Sequence, residues 1–306
     1  MNALLRKSAA VAALLSVLVT ARGLAEAPVI VSFGVYTSDK PTVMYRMFKP
    51  VLSALEKRME EELEERVKIK LQIYSTYDAA IEALVRGEVD FVRFGPSSYI
   101  TAKQRNPGVQ LLAIEEDEGN RRFNGIIFCR DNSQIQSLRD LEGKSFAFGD
   151  DNSTIGRYLS QALLVENGVR ARDLSRYEYL GRHDLVVTAV LHGRFDAGAA
   201  KEGTFNKYKE RGLREIVRFD NVTKPWVARS GLPPELTASL RRGLIAVRDP
   251  AVLQSLGKKL TGFAEVRDEE YEFVRIGMEK SKEFLGASVE ESGARTARSR
   301  PAATGE

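Results

Sequence analysis

The chain has 306 residues, 46 of them basic and 42 acidic, with two histidines and a single cysteine. One cysteine excludes an internal disulfide framework, so stability must come from packed cores, and a chain of this length divides into about two of them. Lys and Arg are interleaved with Asp and Glu, which argues against a nucleic-acid partner, and two histidines and one cysteine at unrelated spacing do not make a metal site.

Arg6 and Lys7 precede the apolar run Ala9 to Ala21, and Gly23-Leu24-Ala25 supplies small residues at a cleavage point. This pattern predicts a secretory signal peptide over residues 1–25. Cleavage after Ala25 fits better than after Ala27, where Pro28 would follow the cut. An uncleaved membrane anchor is the alternative, but the run is short and alanine-rich for a span of about 20 apolar residues. The cysteine, Cys129, lies far from the cut, so a lipid anchor is not expected. Arg6, Lys7 and Arg22 belong to this leader, and without them the chain is close to neutral.

Strands predicted at Val29 to Tyr36, Val67 to Tyr74 and Val89 to Phe94 alternate with helices at Met44 to Glu64 and Tyr77 to Arg86, an α/β pattern. The charged run Glu56 to Arg66 reads as the solvated face of the first helix. Phe123 to Arg130 is an apolar strand that opens a second lobe, followed by a strand at Ser145 to Phe148 and a helix at Arg157 to Glu166. That lobe runs to about Phe219; Val222 to Ala228 then crosses back, and Leu232 to Leu260 reads as helical. The expected division is lobe 1 at 26–122 plus 223–287 and lobe 2 at 123–222. Residues 288–306, rich in Ser, Gly, Ala, Arg and Glu without apolar periodicity, predict a disordered tail.

An internal echo supports two similar lobes. Ala83 to Phe91 matches Ala189 to Ala197 in residue character at an offset of 106 residues. Each copy reads as a helix closed by a glycine (Gly87, Gly193), a tight turn, an aspartate (Asp90, Asp196) and a strand.

Three loops have the composition of anion cradles at strand carboxyl ends, the edge where α/β folds hold ligands. In Gly149 to Gly156, Ser153 or Thr154 would cap the helix, Ile155 follows, and Gly156 leaves room for an oxyanion at the free N–H groups. Phe94-Gly95-Pro96-Ser97-Ser98-Tyr99 has Pro96 to open a helix and Ser97 and Ser98 as hydroxyl donors. Tyr36-Thr37-Ser38 adds hydroxyls and an aromatic wall. Each loop also fits an ordinary helix cap or core position. Micromolar binding needs about 8 kcal/mol, so several charge-assisted bonds of about 1.5–3 kcal/mol each must converge.

The set Gly-Pro-Ser-Ser-Tyr (95–99), Asp-Leu-Glu-Gly-Lys-Ser-Phe-Ala-Phe-Gly-Asp (140–150), Asn-Ser-Thr-Ile-Gly (152–156) and Gly-Arg-His-Asp (181–184) resembles the phosphonate, phosphite and phosphate binding proteins of ABC importers, over about Val29 to Gly286. The resemblance implies a type II periplasmic-binding-protein fold, two α/β lobes joined by two crossing segments that close on a solute. It implies a periplasmic, monomeric protein with no cofactor, whose partner is an ABC permease or, in the sensory variant of the fold, a membrane kinase. It implies that Ser153 and Thr154 hold the phosphorus oxygens and that His183 or the adjacent Arg182 neutralises them. Phe94 stands where some relatives have tyrosine, and Lys224 stands where aminophosphonate binders place an aspartate. This points toward phosphate, phosphite or an organophosphonate without an amine. Lys201-Glu202, after the second copy of the echo, has two readings, a cleft lining or a surface pair. A hydrolase built on His183-Asp184 and nearby serines is the rival, but no nucleophile elbow accompanies it.

Overall fold

The computed structural model describes residues 27–37 and 40–286. The expected leader (1–25), Ser38 and the expected tail (288–306) lie outside the described residues. In chain order the strands are β1 (Val29–Tyr36), β2 (Val67–Tyr74), β3 (Phe91–Arg93), β4 (Gln110–Asp117), β5 (Arg122–Arg130), β6 (Ser145–Phe148), β7 (Arg176–Tyr179), β8 (Ala197–Lys201), β9 (Leu213–Val222), β10 (Pro225–Ala228) and β11 (Leu260–Ala264). The α-helices are α1 (Pro41–Leu63), α2 (Tyr77–Val85), α3 (Pro96–Arg105), α4 (Ser160–Glu166), α5 (His183–Leu191), α6 (Glu202–Asn206), α7 (Pro234–Ala246), α8 (Pro250–Leu256) and α9 (Glu272–Ser281).

The strands form two sheets, ordered β11-β4-β10-β3-β1-β2 and β7-β6-β8-β5-β9. Apart from the extra edge strand β11, the sheets share one plan. β1 pairs in parallel with β2 and β3 as β6 does with β7 and β8, and each parallel trio continues into two antiparallel strands, β10-β4 and β5-β9. This is the mixed α/β, type II binding-protein architecture. The chain leaves the first sheet after Asp117 and returns between Val222 and Pro225, and the two crossings are tied by Thr223 N–H to Arg121 C=O at 2.9 Å.

Helices on both faces bury the central strands, so β3 and β6 carry continuous apolar stretches rather than alternation. The long helix α1 buries Met44, Phe48, Val51, Leu52, Leu55 and Met59, spaced three and four apart along one face. Its charged end is not wholly solvated as the sequence suggests. Glu60 and Glu56 accept the Val67 and Ile69 N–H groups (3.0 and 2.8 Å), satisfying the otherwise open edge of β2.

The echo corresponds to a matched pair of clasps. Asp90 accepts the backbone N–H and hydroxyl of Ser32 (2.8 and 2.7 Å), and Asp196 does the same with Ser145 (2.8 and 2.7 Å). Before each aspartate the helix ends at Gly87 or Gly193 with φ of 76° or 72°, a left-handed conformation that glycine adopts without steric cost.

Two expectations need correction. Leu260 opens β11 rather than closing a helix, because its strand pairs with β4. The chain does not finish on lobe 1 alone: Val274 of α9 lies in the core under β3 and β10, whereas Phe284 lies in the core of the second sheet with Phe148 and Leu164. An apolar face on each side of this last segment makes it a third tie between the lobes.

Candidate functional site

Between the lobes, at the carboxyl ends of the parallel strands, lies a cavity of about 50 Å³, several times the roughly 10–15 Å³ a single water requires. Its walls include Tyr36, Tyr77, Arg93, Phe94, Phe123, Ser153, Thr154, Ile155, His183, Lys201, Asn221 and Lys224. Among the described residues no aspartate or glutamate lines it.

Lobe 2 contributes the cradle. Ser153 is the cap of the helical run: its Oγ accepts Gly156 N–H at 3.0 Å, and the chain winds through wide π-helical turns from Thr154 to Leu159 before α4 begins. The helix therefore starts three residues before the expected Arg157. Gly156 does not face the cavity; it packs on Gly149, where a Cβ on Gly156 would stand 2.8 Å from the Gly149 Cα, and this contact shapes the loop. Thr154 is committed elsewhere. Ser97 spends its only hydroxyl hydrogen on Asn152 C=O (2.8 Å), so in the 2.8 Å contact between the two hydroxyls Thr154 donates, while its oxygen accepts Ser97 N–H at 2.9 Å. These bonds join lobe 2 directly to the start of α3 in lobe 1.

Lobe 1 contributes an aromatic wall. Tyr36 stacks on Tyr77 (centroids 3.5 Å apart) and on Phe94 (5.8 Å), and the Tyr36 hydroxyl accepts Gly95 N–H at 2.5 Å. Burial pushes the Tyr36 hydroxyl up to about 12, so it stays protonated. Arg93 is held from behind by Glu115 through two bonds (2.5 and 2.9 Å), and Trp226 Nε1 donates to the same carboxylate at 3.1 Å. Burial raises the Glu115 carboxyl, but the Arg93 and Lys224 charges and the bonds from Arg93 and Trp226 together outweigh it and leave the group ionised.

The cationic side of the cavity carries Lys201 and Lys224. Lys224 sets its ammonium 4.0 Å from the centre of the Phe123 ring. Burial, then the Arg93 charge, lowers its pKa against the pull of Glu115 and Asp117. His183, first residue of α5, is depressed to about 3 by burial and by Lys201 and Lys224, with Asp184 opposing weakly. It is therefore neutral at ordinary pH, and its Nδ1 is buried without a hydrogen-bond partner among the described residues. Asp150, on the loop before Ser153, is raised to about 7, mainly by burial.

Of the sequence-derived candidates, Tyr36, Phe94, Ser153, Thr154, Ile155, His183 and Lys224 meet at the cavity. Six do not. Thr37 turns its hydroxyl to Tyr74 C=O (2.9 Å), and Ser97 and Ser98 are fully buried behind the first-lobe loop. Gly156 is the loop contact described above. Arg182 forms a two-pronged pair with Asp184 (3.0 and 2.9 Å), which leaves His183 at the cavity. Glu202 turns outward to Arg218 and Asn124, because successive residues at a strand end face opposite ways and Lys201 takes the inward place. Tyr77, Arg93, Phe123 and Asn221 were not singled out by sequence. Asn221 and Arg93 are polar residues in apolar strand runs, and that incongruity is the signal that marks them. Among the described residues no cluster of His, Cys, Asp or Glu could hold a metal ion.

A family model described as the periplasmic substrate-binding protein of phosphonate ABC transporters matches residues 33–271. A probable phosphite-binding protein of an ABC transporter, PhnD1 from Prochlorococcus marinus, is 26% identical over 220 residues, covering 67% of this chain and 71% of that protein. A phosphate-import protein, PhnD from Mycolicibacterium smegmatis, is 26% identical over 232 residues, 70% of each chain. The structure of the Prochlorococcus protein in complex with methylphosphonate superposes with a TM-score of 0.74 at 21% identity, covering 84% of this chain and 99% of that one.

Proposed function

This chain belongs to the family of periplasmic phosphonate substrate-binding proteins of ABC transporters, and we propose that it captures a small phosphorus oxyanion (phosphate, phosphite or an organophosphonate with an uncharged tail) for an importer. The observation that carries this reading is the cavity wall: the capped helix start at Ser153 lines it together with Lys201, Lys224 and Arg93, with no carboxylate among the described lining residues. A helix N-terminus and ammonium groups attract an oxyanion, and the same cations repel the amine of an aminophosphonate. The donors come from both lobes, so a solute at this place favours the closed arrangement.

The chain acts by binding rather than by turnover. Among the described residues His183 Nδ1 has no acidic partner to orient it, Ser153 serves as a helix cap, and Asp184 is occupied by Arg182. We assign it to the periplasm, as a monomer released from the leader at residues 1–25.

Thermal unfolding of the exported protein with phosphate, phosphite, methylphosphonate and 2-aminoethylphosphonate tests the reading. A solute at 100 times its dissociation constant stabilises by about 2.7 kcal/mol. The expected result is an upward shift with the first three, weakened by Ser153→Ala; no shift with any phosphorus oxyanion would overturn it.

A further inference from the structure

Asn221 stands at the end of β9, beside the second crossing, 1% exposed and lining the cavity. Its Oδ1 is buried and has no hydrogen-bond partner among the described residues. A buried acceptor left unmade is costly, and native structures leave few of them without a reason. The surrounding walls present donors and positive charge: Lys201 at the end of β8, Lys224 on the crossing, Arg93 on β3. The carboxylates behind them do not line the cavity; Glu115 on β4 is turned to Arg93 and Trp226, and Asp117, also on β4, lies outside the lining. A bare anionic oxygen set against Asn221 Oδ1 would place two acceptors in contact. A hydroxyl on the solute would complete the bond.

We propose that Asn221 reads a proton carried by the solute, so that the site takes a tetrahedral oxyanion in its singly protonated form and rejects one that carries no proton, such as sulfate. Lys201, Lys224 and the helix start at Ser153 receive the ionised oxygens, and Asn221 Oδ1 accepts the remaining O–H. A site built to pair one hydrogen-bonding group discriminates strongly against an analogue that lacks it. The inference rests on the reading of the cavity as a phosphorus-oxyanion site and adds the protonation state to it.

Two protein groups bear on the pH dependence. His183, 6% exposed and facing Lys201, Lys224 and Asp184, is depressed to about 3 and stays neutral where solutes of this class lose their second proton. Asp150, raised to about 7 by burial and by Asp151 and Asp78, titrates within that range. The solute's own ionisation separates the two sources, since it moves from one solute to another and that of Asp150 does not.

Titration calorimetry with methylphosphonate, phosphite and sulfate from pH 5 to 9 is the test. Sulfate should bind at least about 100-fold more weakly than methylphosphonate at pH 6. Above each solute's second ionisation the affinity should fall about tenfold per pH unit, beginning at a lower pH for the more acidic phosphite. Asn221→Leu should weaken methylphosphonate binding at least about tenfold, whereas Asn221→Asp, which keeps an acceptor of the same shape, should retain the preference for the protonated form; the pH profile of the unmodified protein stands whether or not the leucine variant folds. Sulfate binding as tightly as methylphosphonate, affinity rising with pH, or a fall that begins at one pH for every solute would overturn the inference while leaving the phosphorus-oxyanion reading intact. Failure of all phosphorus oxyanions to bind would overturn both.

Discussion

In the first lobe the strand ends that reach the cavity carry rings and a buried ion pair: Tyr36 after β1, Phe94 after β3, and Arg93 backed by Glu115. In the second, the equivalent ends carry a capped helix start after β6 and Lys201 at the end of β8. The scaffold beneath is the same, including the Ser32–Asp90 and Ser145–Asp196 clasps at the opposite ends of the strands. Placing the clasps far from the cavity lets each lobe hold its sheet identically while the loops diverge. The first lobe adds an aromatic wall to Arg93 and Lys224, and the second supplies Lys201 and the helix start at Ser153.

The sharpest way to break this division is to remove the carboxylate behind the first-lobe wall. Glu115→Ala leaves Arg93, 8% exposed, without its partner, and should destabilise the protein by about 3–5 kcal/mol in denaturant titration. Acid probes the second lobe. The His183 imidazole binds its proton near 6.5 when unfolded and near 3 when folded, so its contribution is intact above pH 6.5 and lost as pH falls toward 3. Stability should drop by a few kcal/mol across that window, and His183→Gln should flatten the profile.

The clasps themselves should respond unequally. Asp90 is also bonded to Arg229 at 2.9 Å and its side chain is 21% exposed, whereas Asp196 is 39% exposed with Arg130 at 3.9 Å. Asp90→Ala should therefore cost about 3 kcal/mol and Asp196→Ala about 1–2 kcal/mol by the same titration. The smallest effect belongs to Asp150. Its carboxyl ionises near 3.8 unfolded and near 7 folded, so the folded state is penalised increasingly from pH 4 to 7. Asp150→Asn should raise the melting temperature at pH 8 by on the order of 2 °C and leave it unchanged at pH 4.

The echo made the repeated scaffold legible, because a left-handed glycine and a following aspartate are backbone requirements that show in sequence. The serine partners did not show, since they lie 58 residues from Asp90 and 51 from Asp196 and share no spacing. At the site, Ser153 and Phe94 were legible from loop composition, and His183 from the resemblance to phosphonate-binding proteins. Composition could not tell which hydroxyls turn inward: Thr37 and Ser97 belong to loops of the right character, yet their hydroxyls bond backbone carbonyls. Nor could it tell that Lys201 rather than Glu202 faces the cavity, which depends on the phase of β8. Asn221 hid because β9 continues across both sheet pairing and site, and one polar residue in a strand has many structural explanations.

The bonds from Ser97 to Thr154 and Asn152 join the lobes through protein atoms alone. Whatever they contribute to the shut form is the same for a loaded and an unloaded molecule, so they shift both populations toward it. Tighter capture is thus coupled to a larger standing fraction of empty molecules in the shape of full ones. An importer that recognised only overall shape would be visited by these decoys in proportion, and the strength of this one bridge sets how often.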